Sequence, residues 1–167
     1  TAGVDLQANW MKEFKNGGAF YMNHLLSYLD RYDTRTTPTD PVFHYKGTLG
    51  NSGQYDYRLN STFGYRFKGD KANVGIRFRY LPEVKNAAFV TAPNTPILPT
   101  KAYNVFDLFA GYDINQRYQL RGGIDNLFNT DPAVVGALPN DSNSSSTLPA
   151  YYDPLGRRLY VGFKMQF

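Results

Sequence analysis

Side chains able to do chemistry are few in this sequence, and they stand apart from one another. The chain has 167 residues, no cysteine and two histidines, His24 and His44. Without thiols there is no disulfide framework, thiolate metal site or thiol nucleophile. Neither histidine has a second ligand at metal-binding spacing. Asp30, Asp33 and Asp40 lie along one segment but miss the spacing of a calcium loop. Gly47, Gly50 and Gly53 make a turn-rich loop that lacks the Lys-Ser/Thr ending of a phosphate cradle. No Ser/His/Asp arrangement is supported. The sequence therefore predicts no catalytic residue, no metal and no cofactor. Four tyrosines remain, Tyr45, Tyr55, Tyr151 and Tyr152, all in or beside long polar segments. Their rings can stack on a sugar or another flat ligand, and they serve equally well as loop packing or interface anchors.

The elements that must carry these tyrosines are strands. Aromatic residues make up 16% of the chain and hydrophobic residues 42%, yet the latter never gather into a long run. No stretch approaches the ~18 apolar residues of a membrane-spanning helix. The apolar residues instead alternate with polar ones. About seven such segments can be read. They run over Val4–Phe14, Ala19–Arg31, Tyr55–Lys68, Lys71–Leu81, Ala102–Ile114, Tyr118–Asn126 and Arg157–Phe167. The third is the cleanest. Tyr57, Leu59, Phe63, Tyr65 and Phe67 share a face with Ser61, and Arg58, Asn60, Thr62, Gly64 and Arg66 share the other. The net charge of +4 comes from Lys and Arg scattered along the chain, often at alternate strand positions. That is not the clustered footprint of a nucleic-acid-binding protein.

The connections alternate in length. Lys15–Gly18, Gly69–Asp70 and Asn115–Arg117 are tight turns. Tyr32–Gln54, Pro82–Lys101 and Phe128–Gly156 are long and rich in Pro, Thr, Asn, Ser and Gly, with a Ser/Asn run at Asn140–Thr147. Structureless loops of that length argue against a compact soluble domain. Short turns on one side and long loops on the other are the layout of an outer-membrane barrel, with the short turns periplasmic. A barrel in lipid pairs its backbone groups, turns apolar side chains outward and keeps a polar interior. The expected fold is thus all-β, an antiparallel up-and-down transmembrane β-barrel segment. Tyr57, Tyr80 and Tyr118 stand at strand ends, where aromatic girdles meet the bilayer interfaces. A soluble carbohydrate-binding β-sandwich and a small outer-membrane pore or adhesin are the alternatives.

The last third carries a resemblance to a known family. Leu120–Arg121–Gly122–Gly123–Ile124–Asp125 leads into Asn126, Leu127, Phe128 and Asn129. Tyr152, Asp153, Pro154, Leu155, Gly156, Arg157 and Arg158 follow, then Tyr160–Val161–Gly162–Phe163 and a final Phe167. In combination these resemble the C-terminal end of TonB-dependent outer-membrane receptors. The upstream strands resemble that barrel only in general pattern. The last strand, with Val161, Phe163, Met165 and Phe167 on one face beside Tyr160, resembles the signal read by the barrel-assembly machinery.

The resemblance implies active import of a scarce nutrient: a siderophore, haem, cobalamin or an oligosaccharide. It implies a plug domain inside a barrel of about 22 strands. It also implies energy from the TonB complex, reached through an N-terminal part. The chain opens at Thr1, almost directly in a strand, with no signal peptide. It is therefore expected to be the C-terminal part of such a barrel, without plug or N-terminal strands. Its partners would be outer-membrane lipid and the remainder of the receptor.

Overall fold

The computed structural model describes residues 1–49, 54–94, 97, 99–134, 147–149 and 151–166. Seven strands form one antiparallel sheet in chain order. They are β1 Ala2–Glu13, β2 Ala19–Arg31, β3 Tyr57–Arg66, β4 Ala72–Leu81, β5 Tyr103–Asp113, β6 Tyr118–Asp125 and β7 Arg158–Met165. Each matches an expected segment to within a few residues at its ends. The expected strand end at Phe167 lies outside the described residues, as does most of the Ser/Asn run.

The register carries the alternation from strand to strand. Phe63 stands opposite Met22 on one side and Ile76 on the other, and Ile76 stands opposite Leu108. Leu108 then faces Ile124, which faces Leu159. One face is therefore continuously apolar across the sheet. Its large side chains are left exposed, among them Val4, Leu6, Trp10, Leu120, Leu159, Val161 and Phe163. Lipid is the solvent that suits such a face. Aromatic pairs mark both of its ends. Tyr57 and Tyr80 stack at 5.8 Å near the long loops, and Tyr118 stacks on Phe163 at 5.7 Å near the short turns.

His24 and Ser61 stand in mid-sheet among the residues of the apolar face, and they satisfy each other. His24 stands opposite Ser61, and its Nδ1 lies 2.9 Å from the serine hydroxyl. The Phe63 ring packs against the imidazole. A polar group facing hydrocarbon is costly unless it finds a partner, so the sequence exceptions are placed as a pair.

The opposite face is polar. Asn23, Thr62, Arg77 and Asp107 follow one another across β2, β3, β4 and β5. The three short turns close at one end of the sheet, with backbone hydrogen bonds from Phe14 to Gly18, Phe67 to Ala72 and Ile114 to Tyr118. Gly17 and Gly69 adopt positive φ there, a conformation that glycine reaches without steric cost.

The long connections return over the other end and hold regular structure of their own. Asp33–Thr34 pairs with Phe43–His44, and Thr48–Leu49 runs parallel to Lys85–Asn86, so the first two loops are stitched together. The buried core lies here. Leu49, Tyr55, Val84 and Tyr152 from the loops close on Tyr103 and Val105 of β5.

Candidate functional site

A cleft of about 560 Å³ opens where the outer ends of β1, β2 and β3 meet the loops. Asp5 and Arg58 lie on its strand side, and Tyr32, Gln54, Tyr55 and Tyr151 on its loop side. Asp5 and Arg58 share the polar face, both standing opposite Ser27 on β2. Arg58 is exposed and makes no ion pair among the described residues. Tyr55 and Tyr151 meet edge to face at 5.5 Å. Burial raises both hydroxyls above their ordinary titration range, so they stay neutral at physiological pH. The cleft thus offers ring faces and the exposed Arg58 guanidinium, with the Asp5 carboxylate on the same wall. Ring faces and a guanidinium suit a ligand with a flat or aromatic surface and a negatively charged group within reach of Arg58.

The motif residues of the last third build a latch at the long-loop end of β6 and β7. Asn126 is fully buried and adopts a positive φ of 51°. Its side chain donates to the Thr130 carbonyl at 2.9 Å and accepts from the Thr130 amide at 2.8 Å. Asn129 repeats the conformation, with φ of 54°, and its Oδ1 accepts from the Arg157 amide at 2.9 Å. The Asn-Leu-Phe-Asn turn is thereby tied to the Gly-Arg entry of β7. Gly156 permits this approach, since a Cβ there would stand 2.9 Å from the Asn129 oxygen. The Asp153 carboxylate accepts from both Arg158 terminal nitrogens, at 3.3 and 2.7 Å.

Asn129→Ala removes the acceptor and places a Cβ residue without side-chain compensation at positive φ. It is expected to cost about 1–2 kcal/mol in urea unfolding. Asn129→Gly, which accepts positive φ, should cost clearly less. Equal losses would show that the hydrogen bond, not the backbone conformation, carries the effect.

A second ion pair lies on the polar face. Arg79 grips Asp107 with two hydrogen bonds of 3.1 Å, and Asp107 also accepts from the Asn126 amide at 2.9 Å. The polar strand face and the latch therefore share one carboxylate. The alternation along β4 puts Arg79 on this face, opposite to that of Ile76 and Phe78, but does not name its partner. An acid among apolar neighbours in mid-β5, beside the arginines of β4, was the available signal.

The family described as TonB dependent receptor-like, beta-barrel matches residues 1–127. The chain belongs to this family. The matched region runs from β1 to the first residues of the latch. It therefore covers the early strands, whose resemblance was only general, together with Leu120–Leu127 of the more specific stretch, and it stops before the Tyr-Asp and Gly-Arg elements. The chain is also 26% identical over 115 residues to the ferric enterobactin receptor PirA of Pseudomonas aeruginosa. That match covers 67% of this chain and 15% of the relative, so the chain spans a small part of the relative's length. No solved structure matches the chain.

A TonB-dependent receptor barrel resides in the bacterial outer membrane, and the family comprises receptors rather than enzymes. In a barrel of this kind the apolar side chains turn outward and the polar ones line the lumen. The tyrosines singled out from sequence then separate. Tyr55 and Tyr151 border the cleft. Tyr152 is buried in the loop core, its hydroxyl 3.3 Å from that of Thr100. Tyr45 is outside the cleft, beside Phe43. Of the adjacent arginines, Arg158 makes the ion pairs with Asp125 and Asp153, and Arg157 is exposed. On β7, Val161, Phe163 and Met165 lie on the apolar face, whereas Tyr160 stands opposite Gly123 on the polar face. Phe167 lies outside the described residues.

Proposed function

We propose that this chain is a late portion of the barrel of an outer-membrane import receptor, and that its outer cleft forms part of the ligand vestibule. The single observation that carries this reading is the cleft itself. It sits at the long-loop end, where ring faces and the exposed Arg58 converge. Two open edges support the incomplete-barrel reading. β1 and β7 each pair on one side only, and lipid does not tolerate unpaired strand edges. Further strands of the same receptor would pair with them, and a plug would fill the lumen. Transport would draw on the TonB complex, and the segment alone would not transport. Lipid covers the outer face, and the barrel-assembly machinery would read β7.

The similarity to a ferric enterobactin receptor makes an iron-siderophore complex the first ligand class to test. Ferric enterobactin binding to cells bearing the intact receptor is expected to weaken about tenfold or more in Arg58→Ala. That is the effect of losing one hydrogen bond to a charged group. Tyr151→Ala should weaken it less. Unchanged binding in both variants, with normal receptor abundance, would remove the cleft from the vestibule. No binding by the wild-type receptor would exclude this siderophore.

A further inference from the structure

The lumen face carries one row unlike those beside it. Tyr21 stands opposite Gly64, Gly64 opposite Gly75, and Gly75 opposite Phe109. Phe109 is opposite Gly123, which is opposite Tyr160. Each aromatic ring lies across one of these glycines. A Cβ on Gly64 would collide with the Tyr21 ring, one on Gly75 with Phe109, and one on Gly123 with Tyr160.

The rings do not choose their glycines evenly. They join β2 to β3, β4 to β5, and β6 to β7. Those are the pairs connected by the long loops. Other close side-chain contacts onto glycine fall in the same pairs. Tyr65 of β3 covers Gly18 at the foot of β2, and Arg121 of β6 covers Gly162 of β7. The pairs β3–β4 and β5–β6, joined by tight turns, have no such ring.

A tight turn fixes strand register by its own geometry, and a long loop does not. The alternation of faces excludes a slip of one residue, which would turn apolar side chains into the lumen. It leaves a slip of two unpunished, because every residue keeps its face. A ring that fits only over a glycine discriminates against that slip. We propose that these aromatic–glycine clasps set the register of the three strand pairs that the long loops leave unspecified. The inference is independent of the ligand.

These 167 residues hold no cysteine, so cysteine pairs introduced among them report their register. Opposite residues of an antiparallel pair bring their Cβ atoms to about 4.5–5.5 Å, and diagonal ones stay about 7–8 Å apart. In the intact protein in outer membranes, Asn23→Cys is combined with Thr62→Cys to report native register. Combined instead with Asn60→Cys, it reports a slip of two. Asn9→Cys with Asn23→Cys reports the turn-joined pair β1–β2. Gly64 is the cleanest position, since its three nearest atoms all belong to Tyr21, whereas Gly75 and Gly123 also crowd a neighbouring carbonyl.

In Tyr21→Ala and in Gly64→Val, the ratio of native to slipped β2–β3 cross-link should fall about fivefold, the upper range for one cross-strand pair. The β1–β2 cross-link should persist, and Tyr21→Phe should behave as wild type. An unchanged ratio in both variants would overturn the proposal. So would parallel loss of the β1–β2 and β2–β3 cross-links, since the ring would then serve general stability and not register.

Discussion

Phe63→Arg is expected to destabilise the folded barrel by about 2–4 kcal/mol, whereas Asn23→Arg should change stability by less than about 0.5 kcal/mol. Phe63 stands between Met22 and Ile76 on the apolar face, well inside a strand. A guanidinium there must enter hydrocarbon or drag water and headgroups towards itself. Asn23 stands between Asn9 and Thr62 on the lumen face, where an added charge meets water and no like charge opposite. Thr62→Arg is a poorer control, because Arg77 stands directly opposite it. Urea unfolding from phospholipid vesicles measures both changes. Comparable losses at Phe63 and Asn23 would refute the assignment of the two faces.

Arg79→Ala is the second large effect. Asp107 keeps 8% of its side chain exposed and takes two of its hydrogen bonds from Arg79, whose own side chain is 37% exposed. Removing the cation leaves a nearly buried carboxylate with the Asn126 amide as its remaining partner. Breaking a fully buried pair costs about 3–5 kcal/mol. Water reaches the side that Arg79 vacates, so about 2–3 kcal/mol is expected here. Asp107→Asn in the Arg79→Ala background should recover part of that loss, because the unpaired charge is gone. A double-mutant cycle that shows strict additivity would mean the two side chains do not depend on each other. Amide hydrogen exchange at residues 126–130 should also speed up in Arg79→Ala, since Asp107 anchors that turn to β5.

The clasps and the ion pair act at different levels of the same sheet. The ion pair ties the lumen wall to the latch that receives β7. The clasps align strands whose loops impose no alignment. The cleft joins Tyr55 and Arg58, at the start of β3, to Tyr151 of the last long loop.

Much of the architecture was legible in the sequence because a strand's side-chain alternation is a local property. Leu59, Phe63 and Tyr65 declare one face of β3 without reference to any other strand. The Asn-Gly-Gly, Lys-Gly-Asp and Asn-Gln-Arg turns declare which ends are short. Together these determined the strands, the two faces, the in-phase alternation of turns and loops, and hence a barrel. The siting of chemistry was not local. Whether a tyrosine near a strand end lies in a cleft or a core depends on the path by which its loop returns. Tyr151 and Tyr152 are neighbours, yet one borders the cleft and the other is sealed against Tyr103. Asp107 met Arg79 and not its direct opposite Arg77, a choice of side-chain reach across the register. His24 and Ser61 looked like separate defects until pairing set them opposite each other. Only the tertiary structure decided these partners, because each needs two strands in register before either residue has a neighbour.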